Sequence, residues 1–330
     1  MAKKKKFLFI DVIKFIGVLL VLNSHMDAIY PISALATGGA IGNGLFFFAS
    51  GFLSTNVKLP FGKWYAKRLI RLLPITSIMA LIRILILGRF QISTVFIDVI
   101  FPTYYWFVAA ILLFDIPLYF LVRGGYCVRY KNQILGILAI IYFVYYFLLL
   151  DTSKWVVESA GLTSVAGFFK LIYYFGIFLL GAEMHLKIDS LESKESKQYK
   201  ERFDLLLISA TSFVIFYGYK VLMDRSVLLL RLQFIEQLLT AITVVSFAYY
   251  MYSIEAKLKK CKYEKIKLIV TKISSLSLEL FLTQEIVVIF ARQLKFPTSF
   301  FIMIAGTFLT AWLLNMAYNI IEPKLIRRIK

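Results

Sequence analysis

Residues 8–25 read LFIDVIKFIGVLLVLNSH, and this stretch decides the class of the fold. It is apolar over almost its whole length, and similar runs recur along the chain as far as residue 321. The 330 residues are 60% hydrophobic and 17% aromatic, with a mean hydropathy of +0.78. A soluble chain has no use for so much apolar surface, whereas a bilayer core needs about 20 helical residues per crossing. The sequence therefore predicts an all-α, polytopic transmembrane helical bundle.

The apolar segments are continuous, as in membrane helices, and lack the alternation typical of β-barrel strands. Little length is left for a soluble domain, so we expect a single transmembrane domain over residues 1–330. The first segment is expected to be a retained span, because no small-residue cleavage site follows Ser24. About ten spans can be drawn: 8–25, 38–57, 73–88, 104–122, 133–150, 167–182, 204–222, 233–253, 271–290 and 299–321.

The net charge of +19 could indicate nucleic-acid binding, but the basic residues are concentrated in alternate loops. With the N-terminus inside, the inner loops and tails hold 28 Lys or Arg and the outer loops hold six. Cytosolic loops of membrane proteins carry such an excess. We therefore predict a multi-pass protein of the cytoplasmic (inner) cell membrane with both termini cytosolic, membrane lipids as its surroundings, and no nucleic-acid partner.

Cysteine and histidine are too sparse and too dispersed to suggest a metal site or a disulfide framework. Cys127 and Cys261 fall in predicted cytosolic loops and are expected to be free thiols. Of the two histidines, His185 lies beside a charged loop, where we expect a solvated role. The sequence predicts no bound metal.

The first apolar segment carries ionisable residues, each costing roughly 2.5–3.5 kcal/mol at mid-membrane. Lys14 and His25 are eleven positions apart, which on an α-helix returns to nearly the same face and advances about 16 Å. The two side chains would line one groove at different depths, as suits a long ligand lying along the helix. In the alternative interpretation, Asp11 and Lys14 form an ion pair and His25 is an interfacial loop residue.

Basic residues follow the second segment in KLPFGKWYAKRLIRLLP, residues 58–74. Arg68 and Arg71 are three positions apart on a predicted helix, so their guanidinium groups could converge on one phosphate from the cytosolic side. Simple anchoring of a cytosolic loop explains the same residues without a ligand.

Small and charged residues occur in other predicted spans. Gly51 and its neighbours allow close helix approach, so a packing role is expected for them. Ser50 lacks the strand-turn context of a nucleophilic serine. The remaining charges are expected to face the bundle interior, although the sequence does not pair them. They are Arg83, Asp115, Glu236, Glu279 and Glu285.

Six motifs in order resemble the membrane-bound acyltransferase 3 family, whose members O-acylate cell-envelope polysaccharides and other glycans. The first three together are specific, whereas each alone is weak. The motifs are FIDVIKFIGVLLVLNSH at 9–25, FFFASGFL at 46–53, RLIRLLP at 68–74, YYWFVAAILLF at 104–114, SSLSLELFLTQE at 274–285 and the Glu-Pro pair at 322–323.

The resemblance implies that His25 acts at the thioester and that Arg68 and Arg71 bind the nucleotide end of acyl-CoA. The helix geometry agrees, since the pantetheine arm of the donor could run along the first helix past Lys14 to His25. His25 would then be the catalytic general base. The resemblance also suggests supporting residues, namely Asp11, Ser50, Trp106 and Glu322. The sequence departs from the family pattern in two places. Lysine occupies position 14, where arginine is more frequent, and residues 283–285 read TQE where many members carry a histidine.

The implied function is that of an acyl-CoA-dependent O-acyltransferase, most simply an O-acetyltransferase using acetyl-CoA. Its acceptor would be a hydroxyl of a cell-envelope polysaccharide or lipid-linked glycan at the outer face. A polytopic transporter or flippase for envelope glycan precursors is the alternative, although no internal repeat supports it. A scaffold protein of the envelope would leave the polar groups of the first span unexplained.

Overall fold

A computed structural model describes residues 6–88, 91–101, 104–150, 167–195, 203–223, 225–260 and 262–327. Within these ranges the secondary structure is helical, with a 3-10 turn at Ser33–Leu35 and π-helical turns at Phe96–Ile100 and Tyr145–Leu149. The α-helices are α1 Leu8–Ser24, α2 Gly39–Leu53, α3 Phe61–Leu87, α4 Ile92–Val95, α5 Trp106–Arg123, α6 Tyr126–Arg129, α7 Lys131–Val144, α8 Gly167–Glu195, α9 Phe203–Met223, α10 Val227–Arg231, α11 Phe234–Ser253, α12 Glu255–Lys260, α13 Glu264–Ser275, α14 Ser277–Ala291 and α15 Thr298–Arg327.

Eight helical stretches in the described ranges are long and apolar enough to cross a membrane, and a bent pair would make nine. Helix α1 has 17 residues, which lies at the short end of the range for a spanning helix. The prediction of an all-helical, multi-pass membrane protein is confirmed. Ten crossings and cytosolic termini stay predictions.

One predicted span, 271–290, is broken in the structure. Helices α13 and α14 meet at Leu276 and bend by 67°. Serines flank this point, and serine side chains compete with the helical hydrogen bonds of the backbone. The Ser274 hydroxyl donates to Asp11 Oδ1 at 2.8 Å, so this serine of α13 is bonded to a side chain of α1. The hydrophobic pattern continued through the break and therefore did not reveal it.

The described chain groups into two compact units. The first comprises Met1–Val21, Thr37–Thr55 and Gly125–Ser274, and the second comprises Leu22–Ala36, Asn56–Gly124 and Ser275–Lys330. This division by contacts does not test the prediction of a single functional domain over residues 1–330.

In the first unit, glycines bring α2 and α8 into backbone contact. A Cβ added at Gly51 would overlap the backbone of Phe178, and one added at Gly181 would overlap the backbone of Phe48. Small residues at both positions permit this close approach. The expected packing role of Gly51 is confirmed.

In the second unit, the segment after α1 packs on α14 and α15. Leu22, Met26 and Ile29 form a buried cluster with apolar residues of these two helices. The cluster holds the turn between α1 and the 3-10 helix in place. It thereby determines the position of His25, which lies between Leu22 and Met26 in the chain.

Candidate active site

His25 follows the last residue of α1 and sits in a hydrogen-bonded turn. Its backbone N–H donates to Leu22 O at 3.3 Å, and the next N–H, of Met26, donates to Asn23 O at 3.1 Å. The Asn23 side chain is held in turn by the hydroxyl of Tyr30, which donates to Oδ1 at 2.7 Å. The imidazole is one-third exposed, so it is anchored by its backbone while its ring remains accessible.

The carboxylate of Glu285 lies beside this imidazole. His25 Nδ1 is 3.3 Å from Glu285 Oε1, and the Glu285 side chain is 19% exposed. Glu285 belongs to α14, the helix on which the turn packs. A carboxylate at Nδ1 favours the tautomer with its proton on Nδ1, which leaves Nε2 as a proton acceptor.

Tyr104 is the second hydrogen-bond partner of the Glu285 carboxylate. Its hydroxyl donates to Glu285 Oε2 at 2.7 Å. Burial raises the pKa of Tyr104 above its ordinary value, and the Glu285 carboxylate adds to the increase. The hydroxyl therefore stays protonated at neutral pH and acts as a donor. The next residue, Tyr105, donates to Leu282 O at 3.3 Å, which ties the same segment to α14.

Arg83 of α3 faces the other side of this group. Its guanidinium carbon lies 3.4 Å from the centre of the Tyr104 ring. A guanidinium over an aromatic face is attracted by the negative charge of the ring's π-system. His25, Glu285, Tyr104 and Arg83 thus form one connected cluster within the second unit.

This cluster can perform general base chemistry. The imidazole can take a proton at Nε2, and the adjacent carboxylate would stabilise the resulting imidazolium. Among the described residues there is no group of three or more His, Cys, Asp or Glu side chains placed to hold a metal ion. The expectation that no metal is bound stays a prediction.

The predicted phosphate-binding arginines lie on α3 of the second unit, one turn apart. Arg68 Nε is 3.5 Å from Asp115 Oδ2, and the Asp115 side chain is fully buried. The guanidinium of Arg68 also lies 5.1 Å from the ring centre of Trp64. Arg71 is exposed. The structure therefore gives Arg68 a second role, since it compensates a buried carboxylate, while Arg71 faces outward.

The supporting residues are spread over both units. Lys14, Asp11 and Ser50 belong to the first unit, and Trp106, at the start of α5, to the second. Asp11 pairs with Lys6 at 3.5 Å and accepts the hydrogen bond from Ser274. The Glu322 side chain lies outside the described residues. No observation tests the roles assigned to these residues.

We expected His185 to be solvated, but the structure packs its side chain against α2. Its ring stacks on Phe52 with centres 4.4 Å apart, and Nδ1 is hydrogen-bonded to the Thr55 hydroxyl at 2.8 Å. Helix α8 continues past the predicted end of its span, and this extension places His185 against α2. Packing between helices therefore explains this histidine.

Sequence reasoning identified His25 but missed its partners. Glu285 was recognised only as a charge in an apolar segment, and Tyr104 only as part of a motif. The signal that could have found Glu285 is its chemistry, because an acidic residue inside a span requires a partner. The structure supplies that partner in His25.

Comparison with known protein families identifies the family of the chain. A family model described as an acyltransferase domain matches residues 7–316, a range that includes all four cluster residues. No curated protein and no solved structure matches the chain. The family match covers nearly the whole sequence, and the structure has the helices of a multi-pass membrane protein. The chain therefore belongs to the acyltransferase 3 family.

Proposed function

We propose that the protein is a membrane O-acyltransferase in which His25, held by Glu285, activates an acceptor hydroxyl. The donor is acyl-CoA from the cytosol, most simply acetyl-CoA. The acceptor is a hydroxyl of an envelope polysaccharide or lipid-linked glycan at the outer face of the cytoplasmic membrane. The observation that carries this proposal is the 3.3 Å contact between His25 Nδ1 and Glu285 Oε1.

In the proposed reaction, Nε2 of His25 takes the proton of the acceptor hydroxyl as its oxygen attacks the thioester carbonyl. The C–S bond of the donor breaks, and the leaving sulfur of CoA takes the proton back from the imidazolium. The products are the O-acyl ester and free CoA. Positioned proton transfer of this kind contributes roughly 10²–10⁴ in rate.

The hydrogen bond from Tyr104 supports the assignment of Glu285 as a positioning residue. Because Oε2 accepts from the Tyr104 hydroxyl, Oε1 is the oxygen presented to His25. This geometry needs no movement of the carboxylate when the imidazole becomes charged. Preorganised charge of this kind is the commonest large contribution to enzymatic rate.

The assignment of acyl-CoA binding to the basic cytosolic loop is based on the sequence. Arg68, Arg71 and Lys14 are the residues assigned to the nucleotide and the pantetheine arm. Arg71 is exposed and therefore accessible to a phosphate. A transporter for envelope glycan precursors would not consume acyl-CoA, and membership of an acyltransferase family favours the enzyme.

The test compares two histidine variants, His25→Ala and His185→Gln. Each protein is purified, checked for monodispersity, and assayed for acceptor-dependent release of CoA from acetyl-CoA. Alkali-labile acetyl groups on envelope glycans are measured in cells that produce each variant. We expect both signals to be lost in His25→Ala and kept in His185→Gln. Normal transfer by a folded His25→Ala protein would contradict the proposed mechanism.

A further inference from the structure

Arg83 lies near the end of α3 that is remote from the arginines assigned to the donor. It precedes the last residue of the helix, Leu87, by four positions and follows Arg68 by fifteen. At 1.5 Å per residue, about 22 Å of helix separates Arg83 from Arg68. A nucleotide phosphate bound by Arg68 and Arg71 therefore does not also contact Arg83.

The positive charge of Arg83 has no carboxylate partner within the described ranges. Arg68, on the same helix, pairs with the buried Asp115. The side chain of Arg83 is only partly exposed, and its guanidinium carbon lies over the Tyr104 ring at 3.4 Å. Charges inside a span pair with opposite charges or mark the path of a substrate. Arg83 therefore indicates an anion that comes from outside the described protein.

Glu285 does not serve as this anion, because each of its oxygens already faces another group. Oε1 lies 3.3 Å from His25 Nδ1, and Oε2 accepts from the Tyr104 hydroxyl at 2.7 Å. Tyr104 holds the guanidinium in the cluster through its ring, which carries no net charge. The cation is thus fixed in the site without being neutralised.

One edge of the guanidinium is left for a ligand. The Nε atom of Arg83 is buried and has no hydrogen-bond partner among the described residues, so it is out of reach of a ligand. The two Nη atoms are not in that position, and they carry four of the five N–H donors of the side chain. Two parallel N–H groups match the paired oxygens of a carboxylate or a phosphate.

In the proposed reaction, the acceptor is the substrate that can supply such an anion. The pantetheine arm and the acetyl group of acetyl-CoA are uncharged, and the phosphates of the donor are assigned to the other end of α3. Arg83 is connected to His25 through Tyr104 and Glu285. An acceptor with a hydroxyl at His25 Nε2 can therefore place a neighbouring group against Arg83.

We infer that the acceptor is acidic, and that its carboxylate or phosphate binds the Nη edge of Arg83 while a nearby sugar hydroxyl is acylated. The inference rests on the proposed function and deepens it by naming the class of acceptor. A carboxylate would belong to a uronic acid residue of a glycan, and a phosphate to a lipid-linked sugar phosphate. Arg83 binds the acceptor and takes no part in the bonds that form and break.

Three probes test the charge of the acceptor: methyl glucuronide, glucose 1-phosphate and the neutral methyl glucoside. The affinity of the full-length protein in detergent for each probe is measured from the rise in melting temperature across a titration. We expect an acidic probe to bind roughly tenfold or more tightly than methyl glucoside. The tighter of the two acidic probes distinguishes a uronic acid from a sugar phosphate. Equal affinities for acidic and neutral probes would overturn the inference.

Variants of Arg83 locate the contact. Arg83→Gln should remove the preference for the acidic probes, whereas Arg83→Lys, which keeps the charge but not the planar fork, should retain part of it. Arg292→Gln is the matched control, because Arg292 is an exposed arginine directly after α14 in the same unit. It should keep the wild-type preference. An unchanged preference in folded Arg83→Gln, or an equal loss in Arg292→Gln, would show non-specific attraction and overturn the site.

This binding readout needs neither donor nor turnover, so it is separate from the test of His25. Equal affinities for the three probes would remove the acidic acceptor and leave the assignment of His25 unchanged. Normal transfer by His25→Ala would remove the proposed mechanism and leave the measured preference of Arg83 for an acidic glycoside in place.

Discussion

Replacing Glu285 with glutamine changes the direction of one hydrogen bond in the His25 cluster. Tyr104 donates to Glu285 Oε2, so in the variant the single amide oxygen is drawn to the Tyr104 hydroxyl. The amide nitrogen then faces His25 Nδ1, which must act as an acceptor. The proton of the imidazole moves to Nε2, and the ring can no longer take a proton from the acceptor hydroxyl.

The expected loss follows from the interaction removed. A hydrogen bond to a charged group contributes about 1.5–3 kcal/mol, which corresponds to roughly a 10- to 150-fold decrease in kcat. The assay is acceptor-dependent release of CoA at saturating acetyl-CoA. Glu279→Gln is the matched control, because Glu279 lies on the same helix, is buried and accepts from Asn315 Nδ2 at 2.7 Å. The Glu279 variant should retain its transfer rate.

A double variant makes the test sharper. Tyr104→Phe removes the hydroxyl that orients the amide, so in Glu285→Gln/Tyr104→Phe the amide can rotate and present its oxygen to Nδ1. We expect the double variant to be more active than Glu285→Gln alone. A wild-type rate in folded Glu285→Gln protein, or a double variant no better than the single one, would refute the orienting role of Glu285.

Two further predictions concern donor binding and helix packing. Arg68→Ala leaves the buried Asp115 carboxylate without its arginine, so membrane abundance should fall as expected for about 3–5 kcal/mol of lost stability. Adding Asp115→Asn should restore the abundance. The acyl-CoA affinity of that double variant, measured beside Lys63→Ala, then reports on phosphate binding alone. Equal affinities in the two proteins would favour simple anchoring. Gly51→Ala forces a Cβ into the backbone of α8 and should lower thermal stability by about 1–3 kcal/mol or more, whereas Gly62→Ala, in open space, should leave the melting temperature unchanged.

The sequence by itself determined the solvent, the helical class and the family. Lipid requires long apolar helices, and each span shows this in its own sequence as a long apolar run, as in residues 8–25. The role of Gly51 could also be predicted, because close helix approach demands a residue without a side chain. His25 could be identified because a histidine at the end of a span matches a motif.

Only the tertiary structure decided which polar groups meet. His25 and Glu285 lie near opposite ends of the chain, and Tyr104 reaches Glu285 across 181 positions. Arg68 and Asp115 are on separate helices, and the sequence does not show which face of each helix turns toward the other. Hydrophobic periodicity places a residue in a span, but pairing depends on the rotation of each helix and on its neighbours. That information exists only once the helices are packed together.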